Sequence, residues 1–252
     1  DFLHWSEPRE VLRGDGFERQ IYAMPVFMSR GLYFGLAAIF HEGDRSAEDF
    51  DTVDCELFYA TEPDMFDAVA PGQPIIPRGH GCYPLGDSDC GCAYAPAPVD
   101  AGDGYWFYYM GGNGLHTDLR ETSLMRGWMR KDRFAGYEQK REDVPAVLAT
   151  AQLLLGEGEL TITADIAPGG YIRAGLRSAW NEAELPGFGE ADCALEEIGA
   201  GLYRVRFSGD RAALRQQSVC LTLRFGGARI FAIGGDVTLY AHRLWEGAAE
   251  KA

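Results

Sequence analysis

The sequence lacks the signatures of several protein classes. It has no apolar run near the ~18 residues that a membrane-spanning helix needs, so we expect no membrane partner. It has no C-x-x-C pair, the common spacing of structural zinc sites, and we expect no bound metal. Gly-x-Ser-x-Gly elbows, P-loops and dinucleotide fingerprints are absent too, so esterase, nucleotide and NAD readings have no support and no cofactor is expected.

Positive charge and cysteine are both scarce. The 23 Lys and Arg residues against 38 Asp and Glu give a formal net charge of −15. Such a surface repels phosphate backbones, which excludes nucleic acid as a favoured partner and is compatible with neutral sugars. The six cysteines are interpreted as buried free thiols, although their even number leaves disulfides open. Cys90 and Cys92 form a C-x-C pair, which places both side chains on the same face of a strand.

What the sequence does contain is strand patterning. Its 32 glycines and 12% aromatic residues are typical of short strands joined by tight turns. Strands are predicted over residues 21–27, 32–39, 54–61, 91–96, 104–110 and 123–130, with turns at 28–31 and 100–103. Apart from one short helical turn over residues 211–217, no segment has a helical period. The predicted fold class is all-β.

A change in strand spacing predicts a domain boundary between residues 147 and 148. After it, even spacing typical of a β-sandwich predicts strands at 151–155, 159–164, 171–176, 202–207, 219–225, 230–233 and 237–242. Before it, the strands are too few to close a ring, and an open ring exposes its edges. Since the chain begins with Asp1 rather than Met, we expect that it is cut from a longer protein.

Three segments resemble a known family. Residues 1–8 (DFLHWSEP) are similar to the junction between blades in sugar-cleaving five-bladed propellers. Residues 89–96 (DCGCAYAP) resemble the Asp-x-Gly-x-x-Tyr-Ala segment of glycoside hydrolase family 32, and residues 105–112 (YWFYYMGG) resemble the aromatic strand that follows it. The resemblance implies the last blades of a five-bladed β-propeller over residues 1–147, followed by a β-sandwich over residues 148–252. The resemblance also implies N-terminal blades that this sequence lacks. They would be the partner of this part within the same longer chain.

The family's chemistry implies a pocket at the propeller axis. One carboxylate attacks or stabilises the sugar, and a protonated carboxyl group donates to the leaving oxygen. The family's nucleophile and its stabilising Asp lie in Asn-Asp-Pro and Arg-Asp-Pro motifs, which do not occur in this sequence. The acid lies in a Glu-Cys-Pro motif, but alignment on Pro25 places Ala23 at its position. Glu18 and Asp15, just before this strand, are candidates for a substitute acid, with solvated loop charges as the alternative.

Six residues are candidates for sugar binding: Asp89, Tyr94, Tyr22, Gln20, Asn113 and His116. The resemblance makes Asp89 a ligand of a sugar hydroxyl, and its alternative role is to cap the preceding turn. Tyr22 and Gln20 flank the vacant acid position on their strand. His116 and Asn113 share a glycine-rich loop where the last blade should begin, and a histidine without a role is the alternative there.

Two functions are therefore expected from the sequence. The first is a glycoside hydrolase-like enzyme acting on terminal furanosides or related sugars. The second is a carbohydrate-binding propeller without catalysis, which Ala23 favours. A third option is a fragment without function alone, whose exposed blade edge would promote aggregation. Glu56 alternates with Cys55 and Leu57 and is expected on a solvated face. Trp5, Trp106 and Trp128 could stack on sugar rings, but core positions are favoured for all three.

Overall fold

The computed structural model describes residues 3–215 and 217–240, which fall into two compact units, Asp1–Ala135 and Gly136–Ala252. Both units are built from strands, and the all-β prediction is confirmed. Short 3-10 turns cover Glu190–Asp192 and Arg211–Leu214, and the latter confirms the predicted helical turn; residue 216 of that prediction lies outside the described residues. Within the described ranges, no helix is long and apolar enough to cross a membrane.

In the described part of the first unit, nine strands form one sheet. They are β1 Gln20–Ala23, β2 Val26–Ser29, β3 Leu32–His41, β4 Thr52–Ala60, β5 Asp67–Ala68, β6 Cys92–Tyr94, β7 Val99–Asp100, β8 Gly104–Gly112 and β9 Thr122–Arg130. The path through the sheet is β1-β3-β4-β6-β8-β7, while β2 pairs with β3, β5 with β4, and β9 with β8. These pairings are antiparallel except for β4 and β6, which run parallel and meet at Val53 and Cys92.

The predicted hairpin at residues 28–31 is confirmed. Ser29 pairs with Leu32, and the two turn residues Arg30 and Gly31 both have positive φ, 53° and 80°. Positive φ at both positions is the requirement of a two-residue turn that matches strand twist. The strand predicted over residues 21–27 is split into β1 and β2 beside Pro25, because proline has no N–H for the sheet.

The two faces of the β3–β4 pair carry different surroundings. Leu36 and Leu57 face a core that includes Tyr105 and Phe107 of β8. Because side chains alternate, the next pair, Ala37 and Glu56, points to the other face. The prediction that Glu56 is solvated is wrong: the residue is 1% exposed, since other chain segments cover this face of β4.

The second unit contains two long strands that wrap one core. Its strands are β10 Tyr137–Glu138, β11 Ala146–Ala149, β12 Leu153–Ser178, β13 Cys193–Gly199, β14 Leu202–Phe207 and β15 Ser218–Leu239. β12 and β15 pair along their length. Residue numbers rise along β12 while they fall along β15, from the pair of Leu160 with Gly235 to the pair of Ser178 with Val219. Both strands contribute to one apolar cluster with Phe188 and Val205.

The unit boundary lies between Ala135 and Gly136, upstream of residue 147. The physical reason is that β10 and β11 both pair with β15 and so belong to the second sheet. Several short strands that the sequence predicts as separate merge into β12 and β15. The last two residues of the predicted strand 237–242 and the first two of the segment 1–8 lie outside the described residues.

Candidate functional site

A β-bulge in β1 sets the position of Tyr22. Ile21 pairs with Ile39 and Ala23 with Ala38, so Tyr22 is the extra residue between two consecutive partners. A bulge bends the strand and re-aims the side chain, and bulges are enriched beside active sites. Tyr22 is 58% exposed. The centroid of its ring lies 6.0 Å from that of the Tyr94 ring and 5.0 Å from that of the His116 ring.

Tyr22, Phe40, Tyr94 and His116 form what we call the aromatic–histidine cluster. Phe40, near the end of β3, places its ring 4.7 Å from that of His116. The Tyr94 hydroxyl lies 2.5 Å from Nδ1 of His116. Three of the six predicted binding residues, from separate chain segments, therefore meet in one place. Phe40 was not predicted, since an aromatic residue within an apolar strand signals only a core position.

Hydrogen bonding fixes the ring nitrogen that His116 leaves available. Burial raises the pKa of Tyr94, with the neighbouring Cys92 contributing, so the phenol keeps its proton at neutral pH. Where the protonated phenol is the donor and Nδ1 the acceptor, a neutral imidazole carries its own hydrogen on Nε2. His116 in this tautomer has an N–H donor on Nε2.

Hydrogen bonds between Asn113 and Glu121, on either side of His116 in the sequence, close the loop that carries this histidine. Asn113 accepts a hydrogen bond from the backbone N–H of Glu121 at 2.8 Å, and its amide donates to the Glu121 carboxylate at 3.3 Å. The Arg120 guanidinium donates to the carbonyls of Leu115, at 3.0 Å, and of His116. Asn113 is 6% exposed, so its observed role is to close the loop rather than to face a ligand.

The C-x-C pair supports the same loop. The Cys90 thiol donates to the carbonyl of Asn113 at 3.1 Å, and the Cys92 thiol donates to that of Gly114 at 3.6 Å. Two thiols two residues apart thus contact two consecutive carbonyls, although β6 begins at Cys92 and Cys90 lies in the bend before it. Burial raises the pKa of both thiols, which keeps them protonated as donors. All six cysteines of the chain are free.

Asp89 is anchored in the sheet and not in the cluster. The residue is 7% exposed, and its carboxylate accepts a hydrogen bond of 2.7 Å from the hydroxyl of Tyr109 on β8. Burial raises the pKa of Tyr109, and the hydrogen bond to Asp89 raises it further. The carboxylate therefore has a buried structural partner in place of the ligand contact that the resemblance implies.

A cavity of about 350 Å³ lies beside the ends of β3 and β4. We call it the acidic cavity. Its lining includes the charged side chains of Glu18, Arg19, His41, Glu42, Asp44, Asp49, Asp54 and Glu56. Gln20, another predicted binding residue, donates a hydrogen bond of 2.5 Å to Glu42. Gln20 therefore faces the cavity rim rather than the cluster.

The buried charges of this cavity are paired. The Arg19 guanidinium contacts both carboxylate oxygens of Glu56, at 2.6 and 2.8 Å. Asp54 accepts hydrogen bonds of 2.8 Å from both His41 and Arg78, and His41 also lies 3.2 Å from Asp49. Burial alone would raise the pKa of Asp54, but His41 and Arg78 together hold it below its ordinary value.

The two predicted substitute acids differ in location. Glu18 is exposed and lines the acidic cavity, whereas the Asp15 carboxylate is 85% exposed and lies 4.0 Å from Arg19.

Within residues 3–215 and 217–240, no three His, Cys, Asp or Glu side chains are placed to hold a metal ion. Comparison with protein-family models and with curated proteins gives no match to this chain.

Proposed function

We propose that this chain binds carbohydrate at the aromatic–histidine cluster. The observation that supports the proposal is the convergence of Tyr22, Tyr94 and His116, which come from three separate segments. The ligand class is a neutral sugar, with terminal furanosides as the first candidates because of the family resemblance in the sequence.

The chemistry of the cluster suits a sugar. An aromatic face covers the apolar C–H side of a sugar ring, and the Tyr22 ring is exposed enough to do so. With Nδ1 as the acceptor of the Tyr94 hydroxyl, the Nε2–H of His116 is a donor for a sugar hydroxyl oxygen. Pockets for small molecules combine apolar and aromatic walls with a few placed polar groups in this way. Recognition without cleavage agrees with Ala23, which has no proton to donate.

We propose from the family resemblance that the first unit is part of a propeller, although its nine strands are hydrogen-bonded into one sheet that does not close among the described residues. It consists of two antiparallel groups, β1–β5 and β6–β9, that meet at the parallel pair Val53 and Cys92. Blades of a propeller are separate sheets, and the single pair that joins the two groups is compatible with such a division. One face of β8 and β9 exposes Tyr108, Leu124 and Trp128, a surface that a further blade of a longer chain would cover.

We propose likewise that the second unit is a β-sandwich, because β12 and β15 enclose one core.

Affinity measurements test the binding proposal. Soluble oligosaccharides with terminal furanose units are titrated into the chain and followed by calorimetry. We expect Tyr22→Ala to weaken binding by about tenfold or more, as for an exposed aromatic anchor. Tyr108→Ala removes another part-exposed tyrosine and should leave the affinity unchanged. Equal affinity of the wild type and Tyr22→Ala would contradict the proposal.

A glycoside hydrolase is the second candidate, because Glu18 lines the acidic cavity together with other carboxylates. In such an enzyme Glu18 would be the acid that replaces the missing Glu. Release of reducing sugar from the same oligosaccharides tests this, and it should be lost in Glu18→Gln and kept in Asp15→Asn. Binding without release in the wild type selects the non-catalytic function.

A further inference from the structure

Asp51 has an unusual backbone conformation beside the His116 loop. Its φ is 60°, in the left-handed region that favours glycine, although it has a side chain. The residue is 4% exposed, and its N–H donates to the carbonyl of His41 at the end of β3, at 2.7 Å. A non-glycine residue persists in this conformation when its surroundings over-determine it, and such residues cluster at functional sites.

The carbonyl and the carboxylate of Asp51 both contact the segment that carries His116. Its carbonyl accepts the backbone N–H of His116 at 2.6 Å. Its carboxylate accepts the hydroxyl of Thr117 at 2.6 Å, and the Thr117 N–H lies 3.2 and 3.3 Å from its two oxygens. Asp51 thus accepts the backbone N–H groups of two consecutive loop residues. Its carbonyl pairs with His116, and its buried carboxylate pairs with Thr117.

We infer that Asp51 is a positioning residue of the sugar site, whose carboxylate holds Thr117 and with it the neighbouring His116, so that the ring meets Tyr94 and presents Nε2–H to the ligand. Asp51 fixes the backbone, and Tyr94 fixes the ring from Nδ1. Hydrogen bonds to a buried carboxylate are stronger than neutral ones, so this attachment restrains the loop more than the turn alone would. The inference rests on the proposed function, because the ligand is the proposed sugar.

Two substitutions of Asp51 test the role of its carboxylate without changing its backbone conformation. Asp51→Gly removes the carboxylate and accepts positive φ, whereas Asp51→Asn keeps the size and tolerates the same φ but loses the charge. Asp118→Asn is the matched control, because the Asp118 carboxylate is exposed in the same loop and accepts from the neighbouring Leu119 N–H.

The first measurement needs no ligand. The nitrogen-15 shifts of the His116 ring report which nitrogen carries hydrogen, and in the wild type we expect hydrogen on Nε2. Asp51→Gly should shift these signals toward a mixture of tautomers, Asp51→Asn should do so to a smaller extent, and Asp118→Asn should leave them unchanged. Unchanged His116 signals in Asp51→Gly, with the fold intact by circular dichroism, would overturn the inference.

The second measurement is sugar affinity by calorimetry. We expect Asp51→Gly to weaken binding by about tenfold, which corresponds to ~1.4 kcal/mol, while Asp118→Asn binds like the wild type. Equal affinities of Asp51→Gly and the wild type would also overturn the inference. If the wild type binds no sugar, the proposed function fails, and the His116 ring signals still decide whether Asp51 positions the loop.

Discussion

One guanidinium nitrogen of Arg19 lies 2.6 and 2.8 Å from the two carboxylate oxygens of Glu56, whose side chain is 2% exposed. The Gly72 N–H adds a longer contact of 3.3 Å to the same carboxylate. A buried charge is tolerated because it is paired, and removal of one partner leaves the other without compensation. This pair connects the segment before β1 to the middle of β4.

The first prediction concerns the Arg19–Glu56 pair. Arg19→Met should lower the free energy of unfolding by about 3–5 kcal/mol, because the Glu56 carboxylate then stays buried without its cation. The double variant Arg19→Met with Glu56→Leu should recover much of this loss. Chemical denaturation measures both. Arg13→Met is the control, since its pair with Glu10 is exposed, and a loss as large in Arg13→Met would contradict the account.

The second prediction is a pH dependence that comes from Asp54. The folded-state pKa of Asp54 is lowered, so its contribution to stability is complete above the unfolded value of about 3.9 and is lost as the pH falls through the folded value. Arg78→Met removes one cause of the lowering and should cost about 1.5–3 kcal/mol at pH 7, the range for hydrogen bonds to charged groups. Denaturation at several pH values should show the difference between wild type and Arg78→Met shrinking toward acidic pH. A difference that stays constant down to pH 2 would show that Asp54 ionisation is not involved.

The third prediction compares two glycines. A Cβ at Gly91 would overlap the carbonyl of Gly114 in the His116 loop, whereas a Cβ at Gly127 on β9 has no neighbour within 4 Å. Gly91→Ala should therefore displace the loop or unfold the first unit. Gly127→Ala should be neutral or stabilising by about 0.4–1 kcal/mol, because it reduces the freedom of the unfolded chain. Thermal melts distinguish the two, and equal melting temperatures would refute the close packing of Gly91.

The fourth prediction separates Asp89 from the sugar site. Asp89→Ala leaves the Tyr109 hydroxyl buried without its acceptor and should cost about 1–3 kcal/mol of stability. Asp89→Asn keeps an acceptor and should cost less. Sugar affinity should be unchanged in Asp89→Asn, as measured by calorimetry. A loss of affinity without a loss of stability would return Asp89 to the binding site, as the resemblance implies.

The strand pattern predicted much of the fold because local signals decide it. The Arg30–Gly31 turn and the alternation of Cys55 and Glu56 on β4 follow from backbone geometry over a few residues. The pattern missed β13, Cys193–Gly199, because its sequence CALEEIG is mostly exposed and two consecutive glutamates interrupt its apolar residues. Glycines between the predicted strands 151–155, 159–164 and 171–176 indicated turns, yet β12 continues through them.

The candidate site was predicted in part. Tyr22, Tyr94 and His116 were selected by the resemblance, and the structure brings them together. Alternation placed Glu56 opposite Cys55 but gave no sign that Arg19 covers that face, because this contact spans 37 residues of sequence. Asp51 had no sequence signal at all, since its role depends on a backbone angle and on a loop distant in the chain.

The location of the bound sugar tests the central claim most directly. With tyrosine rings and histidine labelled for NMR, a furanoside oligosaccharide is added to the wild-type chain and the signals are compared. We predict that the ring signals of Tyr22, Tyr94 and His116 shift with a common saturation curve, while the exposed Tyr137 of the second unit keeps its signal. Saturable shifts confined to other residues, with these three rings unchanged, would contradict the account.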